Sequence, residues 1–158
     1  MKSQTISDLQ KELALQPPKK LQEICVRLAK YKNENKELLT YLLFDSNDEA
    51  TFIESVKAET DQYFVEMNRS NLYLAKKSLR KILRNITKQC RYSGKKETEI
   101  ELIHYFCMKL RASGIPYKNS PVLVNLYVNQ VKKIEKAISK LHEDLRFDYA
   151  PLLAQLAN

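Results

Sequence analysis

The sequence predicts an all-α fold, and three observations carry that prediction. Only two glycines occur in 158 residues, which disfavours turn-rich β folds and Gly-lined phosphate cradles alike. Leu, Ala, Lys and Glu, which favour helices, are plentiful. Apolar residues recur at steps of three and four along most of the chain. The length predicts one domain over residues 1–158, large enough to bury a core without disulfides or metal.

Helix 1 is expected over about Thr5 to Leu15, with Ile6, Leu9 and Leu13 at helical spacing. Pro17 and Pro18 interrupt, and Pro18 suits a first helical position, where its missing N–H costs nothing. Helix 2 then runs to about Lys32 and is expected to bury Leu21, Ile24, Cys25 and Leu28. The polar stretch KNEN reads as a short turn before helix 3, which carries Leu38, Leu39, Leu42 and Leu43. Ser46 to Glu49 has the form of a capping box opening helix 4, which runs to about Met67.

Helix 5 is expected over residues 70–92, with Gly94 placed for a left-handed cap. Helix 6 spans about Glu97 to Ala112 and closes on Gly114 and Pro116. Ser120 and Pro121 open helix 7, predicted as one long helix over 121–145. Val124, Tyr127, Val131, Ile134, Ile138, Leu141 and Leu145 lie along it at alternating steps of three and four, a heptad seam. A short last helix follows around Tyr149 to Leu156. About eight helices in antiparallel hairpins result, as a compact bundle around helix 7 or as a short HEAT-like helical stack. An internal echo, ELLTYLLF at 37–44 against ELIHYFCM at 101–108, bears on the stack.

The stretch LQKELALQPPKKLQEICVRLAKYKNENKELLTYLLF, and the layout of residues 1–67 around it, resembles small all-helical bacterial proteins grouped in families of unknown function. The resemblance covers less than half of the chain. It implies an all-α cytoplasmic protein and transfers no site residues.

No apolar run approaches the roughly 18 residues of a membrane span. The start, MKSQTISDLQKEL, has no apolar core of a signal peptide, and the three cysteines are widely spaced, so a reduced, cytoplasmic chain is expected. The net charge of +8 is concentrated. Residues 45–68 carry one basic and seven acidic side chains, whereas residues 69–96 carry ten basic and none acidic.

On a helical wheel, Leu72, Ala75, Leu79, Ile82, Leu83, Ile86 and Cys90 share one side of helix 5. Lys77, Arg80, Lys81, Arg84, Lys88 and Arg91 share the other. Like charges four residues apart repel, so such a face is expected to be offset by something. The offset can be internal, from Asp48, Glu49, Glu54, Glu59, Asp61 and Glu66 of helix 4. It can be external, from an acidic protein or nucleic acid, with Tyr73 and Tyr92 placed to stack on bases.

No catalytic, cofactor or metal motif occurs. His104, Cys107 and Cys90 are the one soft-ligand trio weighed, and both cysteines sit on apolar faces where they serve as small hydrophobes. A helical enzyme would need a concave pocket holding His104 or the carboxylates. The expected role is a non-catalytic binding or scaffolding module with no cofactor. Its partner contact is the six-residue basic ridge, and the partner is an unknown acidic protein or another polyanion. The alternative is a nucleic-acid-binding regulator using the same ridge. The chain is read as a monomer, with a dimer through helix 121–145 as the alternative.

Overall fold

A computed structural model describes residues 2–157. Among them are eight α-helices and no strand, so the class is all-α. The contacts divide the chain into two units, Met1–Phe44 and Asp45–Asn158.

The first unit holds α1 (Ile6–Ala14), α2 (Pro18–Tyr31) and α3 (Asn33–Thr40). Thr5 caps α1 by accepting the Asp8 N–H at 3.2 Å, and Pro18 opens α2 as expected. The KNEN stretch is not a turn. The chain reverses at Lys32 alone, and Asn33 to Asn35 form the first turn of α3. Asn35 makes this tight reversal workable, because its Nδ2 donates to the Leu28 carbonyl at 2.9 Å and satisfies the end of α2.

The burial expected of Leu21, Ile24, Cys25 and Leu28 is met only in part, Leu21 and Ile24 being half-buried. Cys25 and Leu28 are exposed, as are Ile6, Leu9 and Leu13 of α1. Tyr41 is the one buried side chain among the unit's described residues. Three short helices offer too little surface to enclose an apolar centre.

The internal echo divides along the same line. ELLTYLLF leaves α3 and enters a π-helical turn, Tyr41–Asp45, with Leu42, Leu43 and Phe44 exposed. The wider turn takes these residues off the face that α3 set up. ELIHYFCM stays within one helix and buries Leu102, Ile103, Phe106 and Cys107. Similar letters thus occupy unlike environments.

The second unit holds α4 (Glu49–Glu66), α5 (Leu72–Ser93), α6 (Lys96–Ala112), α7 (Pro121–Ile138) and α8 (Glu143–Leu156). Its centre is α6, not α7. Ile100, Leu102, Ile103, Phe106, Cys107 and Leu110 are all sealed from solvent, and α4, α5, α7 and α8 each pack on this helix. Phe64 of α4 meets Phe106 with ring centres 5.9 Å apart. From α5, Ala75, Leu79, Ile82, Ile86 and Cys90 turn inward, as the wheel predicts.

Two local details at the start of α4 differ from expectation. Asp48, not Ser46, caps α4, accepting from Thr51 N at 3.1 Å and Thr51 Oγ1 at 2.7 Å. Glu49 is thereby released from a capping box. Its carboxylate accepts the hydroxyls of Ser93 and Thr98 and pairs with Lys95 at 2.9 Å, tying α4 to the α5–α6 turn. That turn closes on Gly94, whose φ of 68° is the left-handed value a side chain resists.

The predicted helix 121–145 is two helices. α7 ends at Ile138, and α8 begins at Glu143. Arg146 fixes the break, its Nε donating to Leu141 O at 2.9 Å and its guanidinium to Ser139 O at 3.0 Å. The heptad seam therefore bends around a corner. The fully buried positions of α7 are Leu123, Gln130, Ile134 and Ala137, about one residue off the predicted stripe. Ile134 and Leu141 belong to the chain's own core, and residues 121–145 do not form a single helix.

Arg69, the first cation of the basic segment, has a structural task. Its guanidinium donates to Phe64 O at 2.8 Å and to Ser113 O at 2.9 Å, closing the ends of α4 and α6 together. Arg69→Ala is expected to lower stability by about 1–3 kcal/mol, as for the loss of charge-assisted hydrogen bonds. Urea unfolding followed by circular dichroism measures this, and an unchanged midpoint would refute it.

Candidate anionic-partner interface

The six ridge residues all lie on α5, and five of them, Lys77, Arg80, Lys81, Arg84 and Arg91, are exposed. Lys88 is half-buried. α5 is capped by Asn71 at one end and Gly94 at the other, with its inner side chains buried in the core. The ridge is thus presented from a rigid element. Lys81 also stands 5.6 Å from the ring centre of Tyr63, a contact that helps orient it.

The acids of α4 are engaged elsewhere. Asp48 caps its own helix, and Glu49 holds the α5–α6 turn. Glu54 pairs with Lys57 at 2.8 Å, and Glu66 accepts from Gln62 at 2.6 Å. Glu59 accepts from two neutral donors, Tyr63 at 2.9 Å and Asn85 of α5 at 3.0 Å. Asp61 faces α6, pairing with Lys109 at 2.8 Å and accepting the Tyr105 hydroxyl at 2.7 Å. Partial burial works against the Asp61 carboxylate, but the bonds from Lys109 and Tyr105 outweigh it and leave its pKa lowered. Asn85 and Ser93 both join α5 to carboxylates of α4, and Asp61 and Lys57 form ion pairs toward α6. Among the described residues, Lys77, Arg80, Arg84 and Arg91 enter no ion pair.

Tyr73, proposed above for stacking, is 68% exposed, with Lys76 Nζ 5.4 Å from its ring centre. Tyr92 is half-buried. Sequence reasoning missed Lys133 of α7, which shares a cleft with Arg91 at the end of the ridge. The two are far apart along the chain, so no local pattern links them.

The chemistry weighed around His104 can now be placed. Cys90 and Cys107 are buried, and burial pushes both thiols up to about 12, so neither is a ready nucleophile. No group of three His, Cys, Asp or Glu side chains among the described residues is arranged to hold a metal ion. His104 does lie in a concavity of about 290 Å³, with Lys57, Glu101, Tyr105, Asp148 and Tyr149 around it. Its Nε2 is shut away from solvent with no hydrogen-bond partner among the described residues. Burial lowers its pKa and favours the neutral ring.

Two predictions follow from these environments. In the native protein at pH 8, an aromatic disulfide reagent should titrate one thiol, Cys25, readily. Cys90 and Cys107 should react only as denaturant opens the core; three fast thiols would contradict the burial. The folded-state pKa of His104 lies below its ordinary value of 6.5, so the unfolded chain binds this proton more readily. Its contribution to stability is present above about 6.5 and is lost as the pH falls from there toward the folded pKa. His104→Gln should flatten the wild-type decline in melting temperature over that window, and an equally steep decline in the variant would count against it.

No family model, no curated protein and no solved structure matches this chain.

Proposed function

We propose that the protein is a non-catalytic binding module whose basic α5 face contacts an acidic protein partner. The observation that carries this reading is a row of cations, Lys77, Arg80 and Arg84, left exposed and outside any ion pair among the described residues. The nearby acids of α4 are committed to other partners. Repulsion along the row costs a few tenths of a kcal/mol per pair, and a partner carboxylate array would relieve it. The burial of Cys90 and Cys107 argues against a cysteine nucleophile.

A second reading, a nucleic-acid contact on the same ridge, is favoured by one observation. Tyr73 stands exposed at the start of α5, where a base could stack beside the phosphate-binding row.

Fluorescence anisotropy separates the two. Labelled polyglutamate, duplex DNA and single-stranded RNA would be titrated across a salt series. The proposed reading expects polyglutamate to bind at least as well as the nucleic acids. Lys77→Glu/Arg80→Glu/Arg84→Glu, which removes no ion pair, should weaken that binding by about tenfold or more while keeping its melting temperature. RNA binding with a salt slope of about 0.9 or less per neutralised phosphate, abolished by Tyr73→Ala as well, would select the second reading. No binding at low salt, or equal binding by the triple variant, would overturn both.

A further inference from the structure

The ridge does not end at Arg91. Beyond it opens a cleft of about 360 Å³, within the size range of small-ligand sites, lined by Arg91 of α5, Lys95 of the following turn, Lys96 at the start of α6 and Lys133 of α7. One carboxylate, Glu99, shares the lining. Lys95 is drawn to Glu49 at 2.9 Å and Lys96 to Glu99 at 2.7 Å. Arg91 and Lys133 remain, and neither enters an ion pair among the described residues. Two different helices thus bring uncompensated cations to the border of one concavity.

The floor is of another character. Ile103 is 2% exposed and Cys90 is 8% exposed, so the cleft ends on an apolar surface. Cations at the border and an apolar floor suit a compact multivalent anion carrying a small organic body. A carboxylate meets one of these requirements weakly. A phosphate supplies two charges and several acceptor oxygens, enough for an Arg fork and a Lys point charge together.

We infer that this cleft is a phosphate-binding site, with Arg91 and Lys133 as the residues that grip the phosphate. The site shares Arg91 with the ridge but takes Lys133 from a different helix, so Lys133 tests it apart from the partner contact proposed above. The phosphate belongs either to a small phosphate ester or to the end of a nucleic-acid strand.

Calorimetric titration of the full chain with inorganic pyrophosphate at low salt tests the site. Wild-type protein should bind, and Lys133→Glu should weaken binding by about tenfold or more at unchanged melting temperature. Lys133→Gln serves as a second variant if charge reversal disturbs the fold. The triple ridge variant, Lys77→Glu/Arg80→Glu/Arg84→Glu, should bind pyrophosphate within about twofold of wild type. Absence of binding at millimolar pyrophosphate would overturn the site. So would a Lys133→Glu variant that binds normally, or a ridge variant as impaired as Lys133→Glu, which would mean diffuse charge. Given pyrophosphate binding, an oligonucleotide that binds better with a 5′-phosphate than without would identify a strand end as the source. Equal binding of the two would identify a small ester.

Discussion

Burial of α6 on nearly every side is the constraint on which the second unit depends. Thr98, Ile100, Leu102, Ile103, Phe106, Cys107 and Leu110 are enclosed, and at about 100° per residue they fill a face of about 200°. A face that wide needs neighbours on more than one side. α4, α5, α7 and α8 supply the surround, and each must turn its own apolar stripe inward to do so. Deep contacts such as Leu79, Ile86, Leu123 and Ile134, each 0–1% exposed, are the result. At about 25 cal/mol per Å² of apolar surface, this burial outweighs any single ion pair at the rim.

The position of the basic ridge follows from that arrangement. With Leu79, Ile82 and Ile86 fixed against the core, the remaining face of α5 has to meet water. α4 then decides whether the ridge is neutralised from within. Its buried face, Phe52, Ile53, Val56, Thr60 and Phe64, sets which way its acids point. Asp61 reaches Lys109 and Tyr105, Lys57 reaches Glu101 at 3.7 Å, and the α4–α6 seam becomes the polar one. Adjacent acidic and basic segments in the sequence therefore do not add up to a neutral surface.

The ends of the helices are secured in the same tertiary way. Arg69 joins the ends of α4 and α6, while Arg111 Nη1 and the Tyr127 hydroxyl donate to Gln155 and Leu156 carbonyls at the end of α8. Glu49 gathers Ser93, Lys95 and Thr98 at the start of α6. Helix ends leave unpaired carbonyls, and here Arg69, Arg111 and Tyr127 bond some of them from elsewhere in the chain. Several charges that look like surface composition are thus parts of the frame, whereas Lys77, Arg80 and Arg84 are not.

What the sequence determined by itself is local. Thr5, Pro18, Asn71, Gly94 and Pro121 act on residues within a turn of themselves, and the starts of α1, α2 and α7 and both ends of α5 stand close to where such signals place them. The two faces of α5 were legible for the same reason, since a 3.6-residue period sorts them without reference to any neighbour. Tertiary structure decided the rest. A three–four spacing continues through Ser139 as readily as through a helix, and only Arg146 bonding back to Leu141 and Ser139 makes a corner there. The leucines of α2 and α3 have the spacing of a core, but whether anything covers them is not a property of their own segment. Glu49 fits a capping box by its spacing, and it left that role because Ser93, Lys95 and Thr98 lie within its reach in the folded unit. Arg91 and Lys133 meet at one cleft only because α5 and α7 both pack on α6. Periodicity and capping act over a few residues, whereas pairing and enclosure depend on which distant segments the packing brings together.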